Sequence, residues 1–317
     1  MKEIGGYFEI ELDGKKEYHS RALRLNSGRN ALRYILKVKK PGKIYVPDYI
    51  CGLLPASIKK ERIDFDFYQI NENFEPLIDA RSVEPSSFII YINYFGVHDR
   101  TINNLSGKYK NLIIDNAQAF FSRPVNGMCS FYSPRKFFGV SDGAYLYIDT
   151  FLDEQIKTDV SYGRCEHLLK RLDLDARSGY QAYMKNETAF SGRPIRTMSK
   201  LTHAILTSID YPRAKKIREE NFLFLHRSLV GINELDMPTG NVNGPMAYPL
   251  LISKKGVKES LIRSNIYVAT YWEEVLARVK KNSFEYKLAK YLVPLPIDQR
   301  YGLDDMRRIV DIILAFI

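Results

Sequence analysis

Residues 130–149 read SFYSPRKFFGVSDGAYLYID. The stretch places two cations, Arg135 and Lys136, between apolar runs, then a glycine-bearing turn, then a run with strand character. An ammonium whose flanks are to be buried loses its hydration and must find a partner or give up its proton. One reading is that Lys136 snorkels to the surface on its apolar stem. The other is that Lys136 is a nucleophile held out of water, and this reading requires support elsewhere in the chain.

Outward from that lysine, the first half of the sequence alternates dense apolar runs with helical patterns. KIYVPDYI (43–50), FIIYINYF (88–95), NLIIDNA (111–117) and AYLYID (144–149) are rich in Ile, Val, Leu and Tyr. Runs of that length suit strands buried on both faces, as in a parallel sheet covered by helices. Between them SGRNALRYILKV puts Ala31, Leu32, Ile35 and Leu36 on one helical face. This is α/β layering. Residues 151–191 read as polar and helical. A long helical pattern through TMSKLTHAILTSID is interrupted at Pro212 and resumes in RAKKIREENFLFLHRSLV. The last piece reads as a smaller α+β lobe closed by a helix from Asp304 or Asp305, with Met306, Ile309, Val310 and Ile313 on its buried stripe. The expected division is a large α/β domain over 1–210 and a small C-terminal domain over 211–317.

At 317 residues, 45% hydrophobic and 26% charged, the composition is that of an ordinary globular protein. No run approaches the roughly 18 apolar residues of a spanning helix, and the first residues lack an apolar signal core. Three cysteines, Cys51, Cys129 and Cys165, lie far apart without metal or disulfide spacing. A reducing cytoplasm is therefore the expected compartment, with no membrane partner. The formal charge of +10 suits an anionic ligand. The basic residues are scattered in pairs, with no zinc finger, RNP pattern or basic heptad helix, so nucleic acid is not the expected partner.

Three further sites join the lysine. In LNSGRNAL (25–32) a small-residue turn enters a helix, and the helix N-terminus around Ser27 and Gly28 suits a phosphate, although the same pattern serves as a plain N-cap. In IIDNAQAF (113–120) Asp115 follows a buried run, where carboxylates point into the crevice of a parallel sheet. Taken alone it reads equally well as a loop cap. Gln118 lies three residues on and can address the same ligand. The glycines of GVSDGA (139–144) are expected to let backbone approach a flat ligand. Ser133 stands three residues before Lys136, a spacing shared with some acyl-transfer serine hydrolases, but the SDN and KTG boxes of those enzymes are absent.

The ordered set SGRNAL, VPDYICGLLPASI, IDNAQA, SFYSPRKFFGVSDGAYL and MSKL resembles the DegT/DnrJ/EryC1/StrS sugar aminotransferases. The resemblance covers most of the chain, and the D-x-x-Q-A segment with the lysine and its glycine turn is its most specific part. It implies a fold-type I transferase that uses pyridoxal 5'-phosphate (PLP), forms a homodimer and acts in the cytoplasm. It implies that Lys136 forms the Schiff base with the cofactor aldehyde, activated by burial. Asp115 then faces the protonated pyridine nitrogen; a charge pair about 4 Å apart at an effective dielectric of 20 is worth roughly 4 kcal/mol before desolvation. Gln118 lies beside the ring, Ser27, Gly28 and Arg29 hold the phosphate, and Ser133 adds a hydroxyl. The implied reaction moves an amino group from an amino acid, commonly glutamate, to a nucleotide-linked keto-sugar for a polysaccharide or similar glycan. Retention of Lys136 argues against the dehydratase branch, where histidine takes its place.

The match departs from the pattern at several positions. The aromatic that stacks on the ring falls on Cys51, with Tyr49 as a possible replacement. The family threonine after the loop glycine is Arg29. The segment GRPIRTMSKL lacks the usual asparagine, for which Arg196 is a possible substitute. These departures leave two alternatives open: a PLP enzyme with a non-sugar substrate, or a ligand-binding protein without catalysis.

Overall fold

The computed structural model describes residues 4–317 except 191, 238, 239 and 241. A seven-stranded sheet is assembled from β1 (Leu23–Leu25), β2 (Lys43–Pro47), β3 (Asp64–Tyr68), β4 (Phe88–Ile92), β5 (Leu112–Asn116), β6 (Cys129–Tyr132) and β7 (Ala144–Tyr147), in the spatial order β1-β7-β6-β5-β4-β2-β3. Neighbours β6, β5, β4, β2 and β3 pair in parallel, whereas β7 is antiparallel to both β6 and β1. Six strands therefore run one way and β7 runs against them. The mostly parallel expectation holds, with AYLYID as the exception.

The helices follow the sequence pattern closely. Helix α1 (Gly28–Lys39) buries Ala31, Leu32, Tyr34, Ile35 and Leu36 and ends at Lys40 in the left-handed conformation. Helices α2 (Leu53–Lys60) and α3 (Asp99–Lys108) follow β2 and β4. A helical hairpin, α4 (Glu166–Asp173) and α5 (Ala176–Ala189), fills the polar stretch read as helical. The chain then forms α6 (Lys200–Thr207) and α7 (Tyr211–Leu229). Pro212 falls in the first turn of α7, where its missing N–H costs nothing, and Asp210 caps that helix through the Arg213 N–H at 3.0 Å.

The C-terminal part pairs β8 (Ala247–Leu251) antiparallel with β9 (Leu292–Pro296), with α8 (Val257–Arg263) and α9 (Phe284–Tyr291) between them in sequence. Helix α10 (Leu303–Phe316) buries Met306, Ile309, Val310 and Ile313, the stripe expected from the sequence. One hydrophobic core runs from the sheet strands through α7 to β8, β9 and α10. A second, aromatic cluster packs Phe120, Phe121, Tyr132, Phe137, Phe138, Tyr145 and Tyr211 together. Among the described residues no helix is long and apolar enough to cross a membrane.

Candidate active site

The strand directions decide where the selected residues meet. Because β1, β2, β5 and β6 run the same way, the segments leaving their carboxyl ends emerge along one edge of the sheet. Those segments carry Ser27, Gly28 and Arg29 after β1, Tyr49 and Cys51 after β2, Asp115 and Gln118 at and after β5, and Ser133 and Lys136 after β6. Open α/β sheets bind ligands at this edge.

Asp115 is the penultimate residue of β5, a strand in which every residue is buried, and is 3% exposed. Its Oδ1 accepts the Ala117 N–H at 2.8 Å. Burial pushes its carboxyl up to about 6, against the opposing pull of the Lys136 charge and the Ala117 N–H. A buried carboxylate with a cation nearby and its second oxygen uncommitted is poised to receive a positive group.

Lys136 ends the short 3-10 turn Pro134–Lys136 that follows β6. Its charge reaches Asp115 and also Cys51. The expected burial of this lysine is not what the structure shows: Lys136 is exposed, while its neighbours Phe137 and Phe138 are buried in the aromatic cluster. The reason is the tight turn, which sends the two phenylalanines into the core and leaves the ammonium on the open side. Among the described residues it makes no ion pair and no side-chain hydrogen bond. The lysine is therefore a free amine within electrostatic reach of a buried acid.

The α1 N-terminus is built as the sequence suggests. Ser27 is extended, its Oγ accepts the Asn30 N–H at 3.2 Å and its carbonyl accepts the Ala31 N–H at 2.9 Å. That leaves the N–H groups of Gly28 and Arg29 for an anion. Beneath the cap, buried Asn26 donates to Asp159 Oδ2 at 3.0 Å and accepts from Asn30 Nδ2 at 2.9 Å, fixing the turn. Ser133 is buried at the start of the lysine turn and makes no capping hydrogen bond.

Cys51 is half-buried, and burial raises its thiol pKa while Lys136 and Arg29 pull it down. It thus sits among the cations of the site. Tyr49 does not join it: Tyr49 is fully buried, with its ring 4.6 Å from Trp272 and 5.8 Å from Tyr94. Tyr271 stacks on Phe95 at 6.2 Å, so the Tyr271–Trp272 pair packs the C-terminal part onto the sheet edge. Glu274 reinforces this clasp by accepting the Gly52 N–H at 2.7 Å, and Arg278 pairs with Asp48.

Two other expectations change. Gln118 is buried, and its Oε1 accepts the Phe95 N–H at 2.7 Å, supporting a backbone in which Phe95 and Gly96 both have positive φ. Its carbonyl oxygen is thus committed to the scaffold, and only the amide nitrogen is left for a ligand. Gly143, in GVSDGA, has a φ of 114°, and a Cβ there would approach Thr202, Met198 and Pro134 at 3.1–3.2 Å. The glycine serves close packing against α6, not the approach of a flat ligand. Asp142 beside it accepts from the Ser199 N–H at 3.0 Å and Oγ at 2.8 Å, and from Thr202 Oγ1.

Sequence reasoning missed an arginine cluster next to the lysine. The guanidinium carbons of Arg135, Arg164 and Arg29 lie 4.4, 5.5 and 5.8 Å from the centre of the Phe190 ring. Glu187 of α5 pairs with Arg135 and lies 3.9 Å from Arg29. Burial and the neighbouring arginines push Arg135 down to about 10, so it stays charged near neutrality. The adjacency of Arg135 to Lys136 was the only local sign. Glu187 is 52 residues away in sequence and gave none.

No protein-family model and no curated protein matches the chain. Solved structures do match its fold. A DegT DnrJ EryC1 StrS aminotransferase from Brucella abortus superposes at a TM-score of 0.64 and 14% identity, over 93% of this chain and 85% of that one. The sugar aminotransferase CalS13 from Micromonospora echinospora gives 0.64 and 16%, over 94% and 88%. DesV from S. venezuelae, solved with a ketimine intermediate, gives 0.65 and 14%, over 93% and 84%. The chain therefore has the fold of these aminotransferase structures, the fold-type I architecture expected from its motifs.

Proposed function

We propose that this chain is a PLP-dependent aminotransferase that moves an amino group from an amino acid, with glutamate as the expected donor, to a nucleotide-linked keto-sugar used in a polysaccharide or similar glycan. The observation that carries the reading is the convergence, on one sheet edge, of the buried Asp115 carboxyl, raised to about 6, and the unpaired Lys136, whose charge reaches it. Fold similarity supports it, since Spr1654 of Streptococcus pneumoniae, an aminotransferase of this fold, was solved in PLP- and PMP-forms.

The donor set fits PLP. Asp115 is a buried acid that would face the ring nitrogen, the free N–H groups of Gly28 and Arg29 with Ser27 and Ser133 suit the phosphate, and Cys51 and the Gln118 amide would flank the ring. When bound, PLP supplies an aldehyde and an electron-withdrawing ring that stabilises negative charge at the reacting carbon. Asp115, ionised opposite the ring nitrogen, would keep that nitrogen charged. Lys136 would hold the aldehyde carbon of the bound cofactor and, as general base and acid, would move the proton at the α-carbon of the amino acid. The positive net charge suits a pyrophosphate-bearing acceptor.

The proposal extends to a homodimer in the cytoplasm, with a large domain over 1–210 and a small one over 211–317. A second reading, ligand binding without turnover or turnover of a non-sugar substrate, is favoured by the commitment of Arg29 to Glu187 and of Gln118 to Phe95. Reconstitution with PLP followed by borohydride tests the cofactor assignment: a phosphopyridoxyl label is expected on Lys136. The same label in Lys136→Ala refutes it. Incubation with glutamate and a panel of nucleotide keto-sugars, read by mass spectrometry, then separates the two readings. Label without any aminated sugar leaves the second standing.

A further inference from the structure

Helix α5 carries Tyr180, Tyr183 and Glu187 at the spacing that puts all three on one side of a helix. Tyr180 and Tyr183 are 59% and 43% exposed, with ring centres 6.3 Å apart and planes tilted by 30°. Tyr183 leans on the edge of His167 at 5.8 Å, but the helix as a whole buries only Gly179 and Asn186. Packing therefore does not account for two neighbouring aromatic rings in solvent. At the other end of this face Glu187 enters the arginine cluster, where the charges divide into two groups. Arg164 and Arg193 lie 3.2 and 3.7 Å from Asp159, and Arg164 is 3.9 Å from Asp142. Those two acids are also held by Asn26, the Val160 N–H, Ser199 and Thr202. Among the described residues Arg29 and Arg135 have Glu187 alone, one carboxylate for two guanidiniums. The Nε atoms of Arg135 and Arg164 are buried and donate to no partner among the described residues. Unmet buried donors beside an excess of positive charge suit an oxyanion.

We propose that this face is the seat of the acceptor's nucleoside diphosphate: the base stacks on Tyr180 and Tyr183, and the diphosphate displaces Glu187 from Arg135 and Arg29. The proposal rests on the reading of the acceptor as nucleotide-linked and deepens it. Seven helical residues separate Tyr180 from Glu187, about 10 Å along the axis, which suits the distance from a base to its second phosphate. Glu187 is a built-in competitor. Its side chain is 29% exposed, so rotation about its own bonds carries the carboxylate into water and opens the two guanidiniums. A carboxylate of the amino donor would only replace one charge by an equal one, against a rival tethered at high effective concentration. A diphosphate brings two charges, matching Arg29 and Arg135 once Glu187 has left. The rings add a second selection, because every base has a π-face to stack and glutamate has none.

Calorimetric titration of the PLP-labelled, borohydride-reduced protein tests this, with inorganic pyrophosphate, glutamate, and the diphosphates of uridine, thymidine and guanosine as probes. At least one nucleoside diphosphate is expected to bind more tightly than pyrophosphate. Tyr180→Ala/Tyr183→Ala, a change at exposed positions, is expected to weaken that nucleotide about tenfold and to leave pyrophosphate unchanged. Glu187→Gln is expected to tighten both about fivefold, and Arg135→Gln/Glu187→Gln to abolish the gain. The proposal is overturned if no nucleoside diphosphate binds better than pyrophosphate, if the tyrosine variant binds it as the parent does, or if Glu187→Gln changes nothing. A gain for glutamate without one for pyrophosphate gives the arginines to the donor's carboxylate and also overturns it. A chain that takes no PLP label sinks the proposed function instead, and the same titrations on the unlabelled chain still decide the seat.

Discussion

Replacing Asp115 by Asn separates the cost of the buried acid from its use. The Oδ1 that accepts the Ala117 N–H at 2.8 Å is retained by an asparagine, so the substitution chiefly removes a titratable charge. The native carboxyl is raised from 3.8 to about 6, so the folded protein holds this proton more tightly than the unfolded chain does. Ionising Asp115 therefore costs stability: the penalty is absent well below pH 4, grows between about pH 4 and 6, and is complete above. A shift of about 2 units corresponds to roughly 3 kcal/mol at full ionisation. Urea unfolding of the cofactor-free protein at a series of pH values measures it. Asp115→Asn is expected to gain on the parent by about 2 kcal/mol between pH 4.5 and 7.5, with any constant offset from the amide cancelling in the comparison. The same variant is expected to bind PLP weakly, because no charge then faces the ring nitrogen. Parallel pH profiles for the two proteins would show that Asp115 does not carry the raised pKa, and the reading of the site as a cation-receiving hollow would fall with it.

Two further outcomes follow from the same physics. His19 is buried, with Nε2 2.8 Å from the Phe120 carbonyl and Nδ1 3.1 Å from the Tyr147 hydroxyl, and burial holds its pKa down at about 4. The unfolded chain takes up that proton first, so this contribution, about 3 kcal/mol, is present above pH 6.5 and is lost as pH falls toward 4. His19→Phe is expected to be less stable at neutral pH, through the two groups left unpaired, and to show a flatter acid limb in urea unfolding; an unchanged limb would refute the assignment. Glu187→Gln removes the carboxylate shared by Arg135 and Arg29. With Glu187 partly solvated, a loss of about 1–2 kcal/mol in stability is expected, together with tighter binding of inorganic phosphate, followed through the fluorescence of the sole tryptophan, Trp272. Weaker phosphate binding would place Glu187 among the residues that support the anion seat.

The parts of the site legible in sequence are those whose signal is local. The continuous apolar runs marked β2, β4 and β5, because a strand buried on both faces needs no partner to reveal its composition. Ser27 and Asp115 were readable because a cap or a strand end is set by its immediate neighbours. β1 has three residues and β6 four, too few for a period to show. β3 did carry the alternation of an exposed edge strand in DFDFY, a signal the continuous-run criterion passes over.

The sequence by itself determined the α/β layering, the stripe of α10 and the order of segments that the sheet brings to one edge, since periodicity and turn chemistry act over a few residues. Only the tertiary structure decided that β7 runs against its neighbours, that Gly143 serves the packing of α6, that Gln118 holds Phe95, and that Glu187 joins Arg135 to Arg29. It also decided that Lys136 stands exposed while the phenylalanines after it are buried. Burial and pairing depend on which distant segments pack together, and residues as far apart in sequence as Arg29 and Glu187 settle that in space.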